Sequence, residues 1–491
     1  MNEPLLNEPR TWTGQWWLPN NPEDKVSGIL TYVPQEGLRL RLIGGWDYAI
    51  TTPGEDGSTL LTGKLQRWPA VFGIGDGKYV TLLDVQVASA KTFSLARTLG
   101  VPDNLELGAG TALVGCHVDD PEKPVFVAGI AAVENMTKWS SRSSIAMKFQ
   151  FEPEAGQSSG QIELTRQAPL VAEMGTLIVK LHLLGWLPYA EESRAGRTAR
   201  VKEHASIEFS CADPKPLSYW TELAASIADL ISLSTLSACG LITLRVFLPP
   251  TPEKFPEDHP QRDQPHEVEV YQPQLVPAQP DMKAEESRTL LLTLDDRAFT
   301  DLVPQWLSVR DTFASARSMI LGLQYVTGGY IETRVVTAVG AAEAMHRALN
   351  PEPPIPVQEF RELRRSLLAT VPQERKAWLA DRLTEHSNVP TLKQRLIELA
   401  GRIGAPGEAL VASPEMWARA AKDARNAIAH VGSSDHDIAK LHAVVEVTAA
   451  VVILNLLFEL EVPEDRLVRA VAENPTLSRA AVLAREFLSG D

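Results

Sequence analysis

Ala421-Lys-Asp-Ala-Arg-Asn-Ala-Ile-Ala-His-Val-Gly432 reads as the end of a helix that carries chemistry. Alanine, lysine and arginine favour helix, and Gly432 stands where such a helix would stop. Arg425 and Asn426 lie inside it, and His430 follows Arg425 by five positions. A guanidinium and an imidazole together suit phosphodiester chemistry. Arginine forks onto phosphate oxygens and holds growing negative charge, while imidazoles, with an ordinary pKa of about 6.5, move protons near neutral pH. Neither role needs a metal. On an ideal helix a five-residue offset separates two side chains by about 7.5 Å along the axis and about 140° around it. Arg425 must therefore reach round the helix, or meet an imidazole supplied by a second copy of the chain. Asn426 and His430, four apart, share a face.

Outward from this stretch the chain reads as helix on both sides. The apolar period predicts helices over Leu302–Leu323, Glu332–Leu349, Val357–Thr370, Arg375–Glu385, Leu392–Ile403, Pro414–His430, Asp437–Phe458 and Leu477–Leu488, with no strand among them. Upstream, residues 249–287 carry nine prolines around a short Val268-Glu-Val-Tyr271 strand, a density that blocks a packed helix. The domain boundary is placed at the end of that segment, giving domains 1–290 and 291–491.

Residues 11–210 read as short strands. Leu38–Ile43, Tyr79–Val87, Ile162–Thr165 and Gly175–Leu184 alternate with period two between Gly, Pro, Asn and Asp punctuation. One helix over Ser218–Ser237 and a strand over Leu241–Phe247 follow. The fold class is α+β in two domains: antiparallel, sandwich-like sheets with one helix, then an all-α bundle. Trp12, Trp16, Trp17, Trp46 and Trp68 read as core anchors, since large aromatics are usually buried. An exposed row of them would instead make a carbohydrate-binding surface.

The chain has 491 residues, 44% of them hydrophobic and 22% charged, the balance of a globular protein with a sizeable core. A net charge of −15 opposes a general nucleic-acid coat, so any RNA contact must be local. Cys116, Cys211 and Cys239 are scattered and odd in number, which points to a reducing cytoplasm rather than a disulfide framework. The N-terminus lacks the basic and apolar regions of a secretory signal. Leu230–Leu244 and Val447–Phe458 are the most apolar stretches and fall short of the roughly 20 residues a membrane span needs. Both are expected to be buried, and no membrane partner is expected.

Arg-Asn-x-x-x-His at 425–430, late in a helical segment, resembles the signature of HEPN-domain ribonucleases. Those helical domains usually dimerise and cut RNA across the dimer seam. The first half resembles the N-terminal domain of ApeA-type bacterial anti-phage proteins, in which a β-rich module precedes a HEPN domain. The residues that carry this second likeness are Gly14-Gln-Trp-Trp-Leu-Pro19, Gly28-Ile-Leu30, Leu40-Arg-Leu-Ile-Gly44, Gly73 with Tyr79–Asp84, and the stretch from Leu113-Val-Gly-Cys-His117 to Trp139.

In HEPN domains that resemble this one, an acidic residue on an early helix often faces the Arg-His motif. Glu343, in Val339-Gly-Ala-Ala-Glu-Ala-Met-His-Arg347, is the matching residue. It either orients Arg425 or His430 by a charge-assisted hydrogen bond or pairs with Arg347 at i+4. Arg361, Arg364, Arg365, Arg375, Lys376 and Arg382, with Lys393, Arg395 and Arg402 after them, form a basic run. Such a run is ordinarily a solvated face, and the other reading is a path for an RNA backbone, with Arg361, Arg364, Arg365, Lys393 and Lys422 as contacts.

Other motifs carry no chemistry. Arg197 and His204 match the Arg-His spacing outside a helix. Gly156-Gln-Ser-Ser-Gly160 matches a nucleophile elbow in letters but lies between strand-like segments, as a hairpin turn does. Gly73-Ile-Gly-Asp-Gly-Lys78 lacks the spacing of a phosphate loop. No metal-ligand pattern or cofactor motif is present.

The resemblances imply a metal-independent endoribonuclease of an abortive-infection system. The RNA 2′-hydroxyl would attack the adjacent phosphate, with His430 moving the proton, Arg425 stabilising the charge and Asn426 positioning either group. The expected partners are RNA, with transfer RNA the first candidate, a second copy through the helical domain, and a phage-derived trigger on the β-rich domain. The competing reading is a non-catalytic dimer whose bundle displays a binding module.

Overall fold

The computed structural model describes residues 5–47, 49–53, 59–91, 101–152, 157–254, 256–326, 328–384 and 387–490. Gly156 of the elbow-like match and Glu385 at the end of one expected helix lie outside them. The chain forms two compact units. Met1–Ser232, Ala238–Glu285 and Ala298–Pro304 make the first, and Leu233–Ser237, Glu286–Arg297 and Gln305–Asp491 the second.

The first unit begins with β1 (Arg10–Leu18), β2 (Asn21–Val33), β3 (Gly37–Ile43), β4 (Ala49–Pro53), β5 (Thr59–Leu65), β6 (Arg67–Gly75), β7 (Lys78–Lys91), β8 (Asn104–Ala109), β9 (Thr111–Val114) and β10 (Phe126–Val133). A single turn, α1 (Met136–Trp139), leads to β11 (Ile145–Glu152), β12 (Gln157–Leu164), β13 (Leu170–Met174), β14 (Leu177–Ser193) and β15 (Gly196–Lys215). Then come α2 (Leu217–Thr235), β16 (Leu241–Leu248) and β17 (His266–Tyr271).

One sheet runs β13-β14-β15-β10-β16-β17-β9-β7-β6-β1-β2-β3-β8, and β8 returns to pair with β7. Six strands therefore close on themselves, and the sheet continues from the ring as an open array. The expected sandwich-like packing takes this form because alternation specifies which side chains face inward, not whether the edges meet. Closure depends on the length of β7, which pairs with β9 over Val80–Leu83 and with β8 over Gln86–Lys91. Between the two partners Asp84 takes a φ of 53°. The β6–β7 hairpin turns at Asp76-Gly77, both at positive φ, as a tight two-residue turn requires. That settles the glycine-rich 73–78 segment as a strand and its turn. In β3, Leu38, Leu40 and Leu42 are buried and Arg39 and Arg41 exposed, the period-two pattern of the sequence.

All five N-terminal tryptophans are buried, none more than 8% exposed, so no exposed tryptophan row exists there. Trp16 lies against Gly73, where a Cβ would sit 2.3 Å from the indole ring. Cys116, Cys211 and Cys239 are free and buried. The Val268–Tyr271 strand within the proline-rich segment is a structural link: β17 joins β16 to β9 in the main sheet.

The helices that follow are α3 (Phe299–Thr312), whose residues up to Pro304 count with the first unit, α4 (Ala314–Tyr325), α5 (Ile331–Ala348), α6 (Val357–Thr370), α7 (Gln373–Arg382) and α8 (Leu392–Arg402). They continue with α9 (Ala405–Leu410), α10 (Pro414–Val431), α11 (Ile438–Glu459), α12 (Glu464–Glu473) and α13 (Pro475–Phe487). The run expected as one helix over Leu302–Leu323 is two, because Phe313 leaves helical geometry and buries its ring between them. α9 and α12 stand where no helix was expected.

α11 is long and apolar enough to cross a membrane, and in this unit it is the core helix. Its buried residues cover every face, from Leu441 to Leu457, and it packs on α5 and α13 with α4, α8, α9 and α10 around it. Asn455, fully buried on it, donates to the Leu399 carbonyl at 3.0 Å and the Val451 carbonyl at 2.8 Å and accepts from Arg402 at 3.3 Å. Its polar atoms are thus satisfied, as burial demands.

Candidate active site

α10 starts at a proline, which costs nothing where the first N–H groups have no helical partner. Trp417, Ala421 and Ala424 then fall on one stripe and are fully buried. The small side chains let α10 lie close against α5 and α8, and the Trp417 indole donates to Thr448 Oγ1 on α11 at 3.1 Å. Past Ala424 the packing ends, and the helix stops at Gly432 with φ 83°.

Arg425 sits at the rim of the buried stripe, its side chain 35% exposed. Its Nη2 lies 3.3 Å from Glu343 Oε2 on α5, and its Nη1 donates to Asn426 Oδ1 at 3.2 Å. The other Glu343 oxygen accepts from Arg347 Nη2 at 2.9 Å. The two alternatives for Glu343 are therefore both realised, one on each carboxylate oxygen. An i+4 spacing brings Arg347 to it along the helix, and the α5–α10 packing brings Arg425 across.

Behind this pair lies a second polar layer. Arg395 on α8, 6% exposed, donates from Nε to the Pro390 carbonyl at 2.8 Å. Burial, then the neighbouring Arg347, pulls its guanidinium below the ordinary arginine range, while Glu343 and Glu398 act in the opposite direction. Arg395 is thus not part of a solvated basic face, because the start of α8 is folded onto the bundle. His346, beside Arg347 and 2% exposed, has Nε2 at 2.6 Å from Glu398 Oε2. His346 and Glu398 were not singled out in the sequence. The available signal was His346 three positions after Glu343, on the same helix face. Arg347, Arg395 and Arg425 face Glu343 and Glu398, so this corner is locally positive in an acidic chain. Such a corner suits an anion.

His430 is exposed in the last turn of α10, and among the described residues it makes no hydrogen bond or ion pair. It is not joined to Arg425 within one chain. Of the expected RNA contacts, Arg361, Arg364 and Arg365 lie on α6, Lys393 is half-buried on α8, and Lys422 on α10 pairs with Asp423 at 2.9 Å. Arg197 pairs with Glu192 near the tip of the β14–β15 ribbon, and His204 accepts from the Trp186 indole at 3.1 Å. Among the described residues no group of three His, Cys, Asp or Glu side chains is placed to hold a metal.

A family model described as ApeA N-terminal domain 1 matches residues 11–306. The chain belongs to the ApeA family. A second model, described as Apea-like HEPN, matches residues 336–466, a span that contains both Glu343 and the Arg425–His430 segment. The ApeA-type chain is thus a sheet-rich region followed by a helical HEPN region. HEPN domains are generally ribonucleases, and the ApeA pairing belongs to anti-phage defence. No curated protein and no solved structure matches the chain.

Proposed function

We propose that the chain is a metal-independent endoribonuclease of an abortive-infection system, acting through Arg425, Asn426 and His430 and restrained by its sheet-rich region. The observation that carries this reading is the Glu343–Arg425 pair at 3.3 Å between α5 and α10, with His430 farther along α10 exposed and, among the described residues, without a hydrogen bond or ion pair. Glu343 orients the guanidinium and leaves N–H groups free for phosphate oxygens. Asn426, bonded to Arg425 and on the His430 face, is placed to steer either group.

The chemistry is an internal displacement. The RNA 2′-oxygen attacks the adjacent phosphorus and gives its proton to one imidazole, that of His430 in the copy opposite Arg425. The P–O5′ bond breaks, and the 5′-oxygen leaves as a hydroxyl with the proton that the same imidazole returns. The products are a 2′,3′-cyclic phosphate and a 5′-hydroxyl, with Arg425 holding the charge of the phosphorane-like transition state. The five-residue offset favours sharing between two copies, because it turns His430 away from Arg425 on its own helix. Ala427 and Ala429 would line that symmetric seam, whereas Ala424 is already buried within its own bundle. Transfer RNA is the proposed substrate class, a phage-derived component the trigger, and the cytoplasm the place of action.

The test is to incubate the purified chain with transfer RNA and sequence the ends, with and without EDTA. Cyclic-phosphate and 5′-hydroxyl ends at an EDTA-insensitive rate are expected. Strict dependence on added Mg²⁺ would overturn the mechanism, and intact RNA under activating expression would favour the display role.

A further inference from the structure

Between α5 and α8 the chain makes an excursion. α6 and α7 pack chiefly on each other, and Phe360 is the one buried residue of the two helices. Their ends are clamped at one point: Asn388 donates to the Ile355 carbonyl at 2.6 Å and accepts from the Ile355 N–H at 3.1 Å. Arg364 Nε donates to the Leu383 carbonyl at 2.5 Å, tying the two helices together. The result is a helical arm on a closed root. With 14 residues, α6 extends about 21 Å.

The root adjoins the candidate site. α5 ends five residues after Glu343, and the returning chain places the Pro390 carbonyl on Arg395, which lies beside Glu343 and Arg347. The Thr391–Gln394 capping box then starts α8. What the arm carries differs from the rest of the surface. α6 and α7 hold six basic and four acidic residues in a chain of net charge −15. Among the described residues Arg365, Arg375, Lys376 and Arg382 have no ion-pair partner, and all four are exposed. Trp378 is 63% exposed. Arg375, Trp378 and Arg382, at spacings of three and four, share one face of α7, with Glu374 and Asp381 bordering the tryptophan on its other side.

We infer that the α6–α7 arm binds the single-stranded RNA that enters the site, Trp378 stacking on a base and Arg375 and Arg382 holding the flanking phosphates. An exposed indole between guanidinium groups is what sequence-tolerant single-strand binding uses, because every base has a π-face and every linkage a charge. The inference rests on the ribonuclease reading for its substrate. It makes separate demands on the protein.

The experiment measures binding of a fluorescein-labelled oligouridylate to the full-length chain carrying His430→Ala, so that cleavage cannot interfere. Adding Trp378→Ala should weaken binding about 10-fold without changing the salt dependence. Arg375→Ala with Arg382→Ala should reduce the slope of log K against log salt by about 1.4, and Trp378→Phe should recover most of the loss from Trp378→Ala. Unchanged affinity in both the tryptophan and the double-arginine variants would overturn the inference. So would a loss of affinity that accompanies a change in oligomeric state, since the arm would then be a contact between copies. If the wild type binds RNA through the arm and does not cut it, the catalytic reading fails and this one stands.

Discussion

The two ends of α10 obey different rules. In its first three turns Trp417, Ala418, Ala421 and Ala424 are all buried, and the one polar atom among their side chains, the Trp417 indole N–H, is satisfied by Thr448. In its last two turns Arg425 is half-exposed and held by charge, and His430 is exposed with no hydrogen bond or ion pair among the described residues. One helix thus provides an anchor and a projection. Packing holds the buried turns against the bundle, and that anchorage gives the exposed turns a defined place for their chemistry.

The sharpest way to break this comparison is at His430. His430→Ala should lower RNA cleavage by about 10²–10⁴ while thermal unfolding stays unchanged, because the imidazole is exposed and makes no hydrogen bond or ion pair among the described residues. A variant that cuts at the wild-type rate would remove His430 from the mechanism. At the anchored end the outcome reverses. Trp417→Ala should cost about 3–5 kcal/mol of stability, read by denaturant unfolding, since it empties a fully buried site and strands the Thr448 hydroxyl.

Between the ends, Glu343→Gln keeps the shape and removes the charge that Arg425 and Arg347 share. Cleavage should fall about 10-fold, because a neutral amide orients a guanidinium less strongly than a carboxylate does. An unaltered rate would leave Glu343 as a local partner of Arg347 alone. The gentlest test asks whether the projected end is complete in one chain. Dimers re-formed from equal amounts of Arg425→Ala and His430→Ala protein should regain roughly a quarter of wild-type cleavage, because half the dimers are mixed and each has one intact site of two. No recovery beyond either parent would place the whole site within one copy.

Much of this was legible in the sequence where local rules suffice. The alternation in Leu38–Ile43 announced which side chains face inward, and the proline-rich 249–287 segment announced where no helix could pack. Gly432 ends α10 where its freedom at positive φ said it would. The split at Phe313 was hidden because no proline or glycine marks it; a buried ring, a tertiary demand, makes the break. Arg395 was hidden for the same reason. It follows Lys393 and Gln394 in a basic run, and its burial depends on where α8 folds back.

By itself, then, the sequence determined the periodic elements, their caps and turns, the order of a sheet-rich region before a helical one, and the residue types able to handle a phosphodiester. These depend on neighbours within a few positions, where hydrogen-bond geometry and side-chain spacing act directly. Only the tertiary structure decided that six strands close into a ring through both halves of β7. It alone decided that Glu343 divides its two oxygens between Arg347 and Arg425, and that α6 and α7 stand out from the bundle on an Asn388 clamp. Each of these joins atoms far apart in the chain, and their meeting is set by how whole elements bury their apolar faces, a quantity that no local window of residues contains.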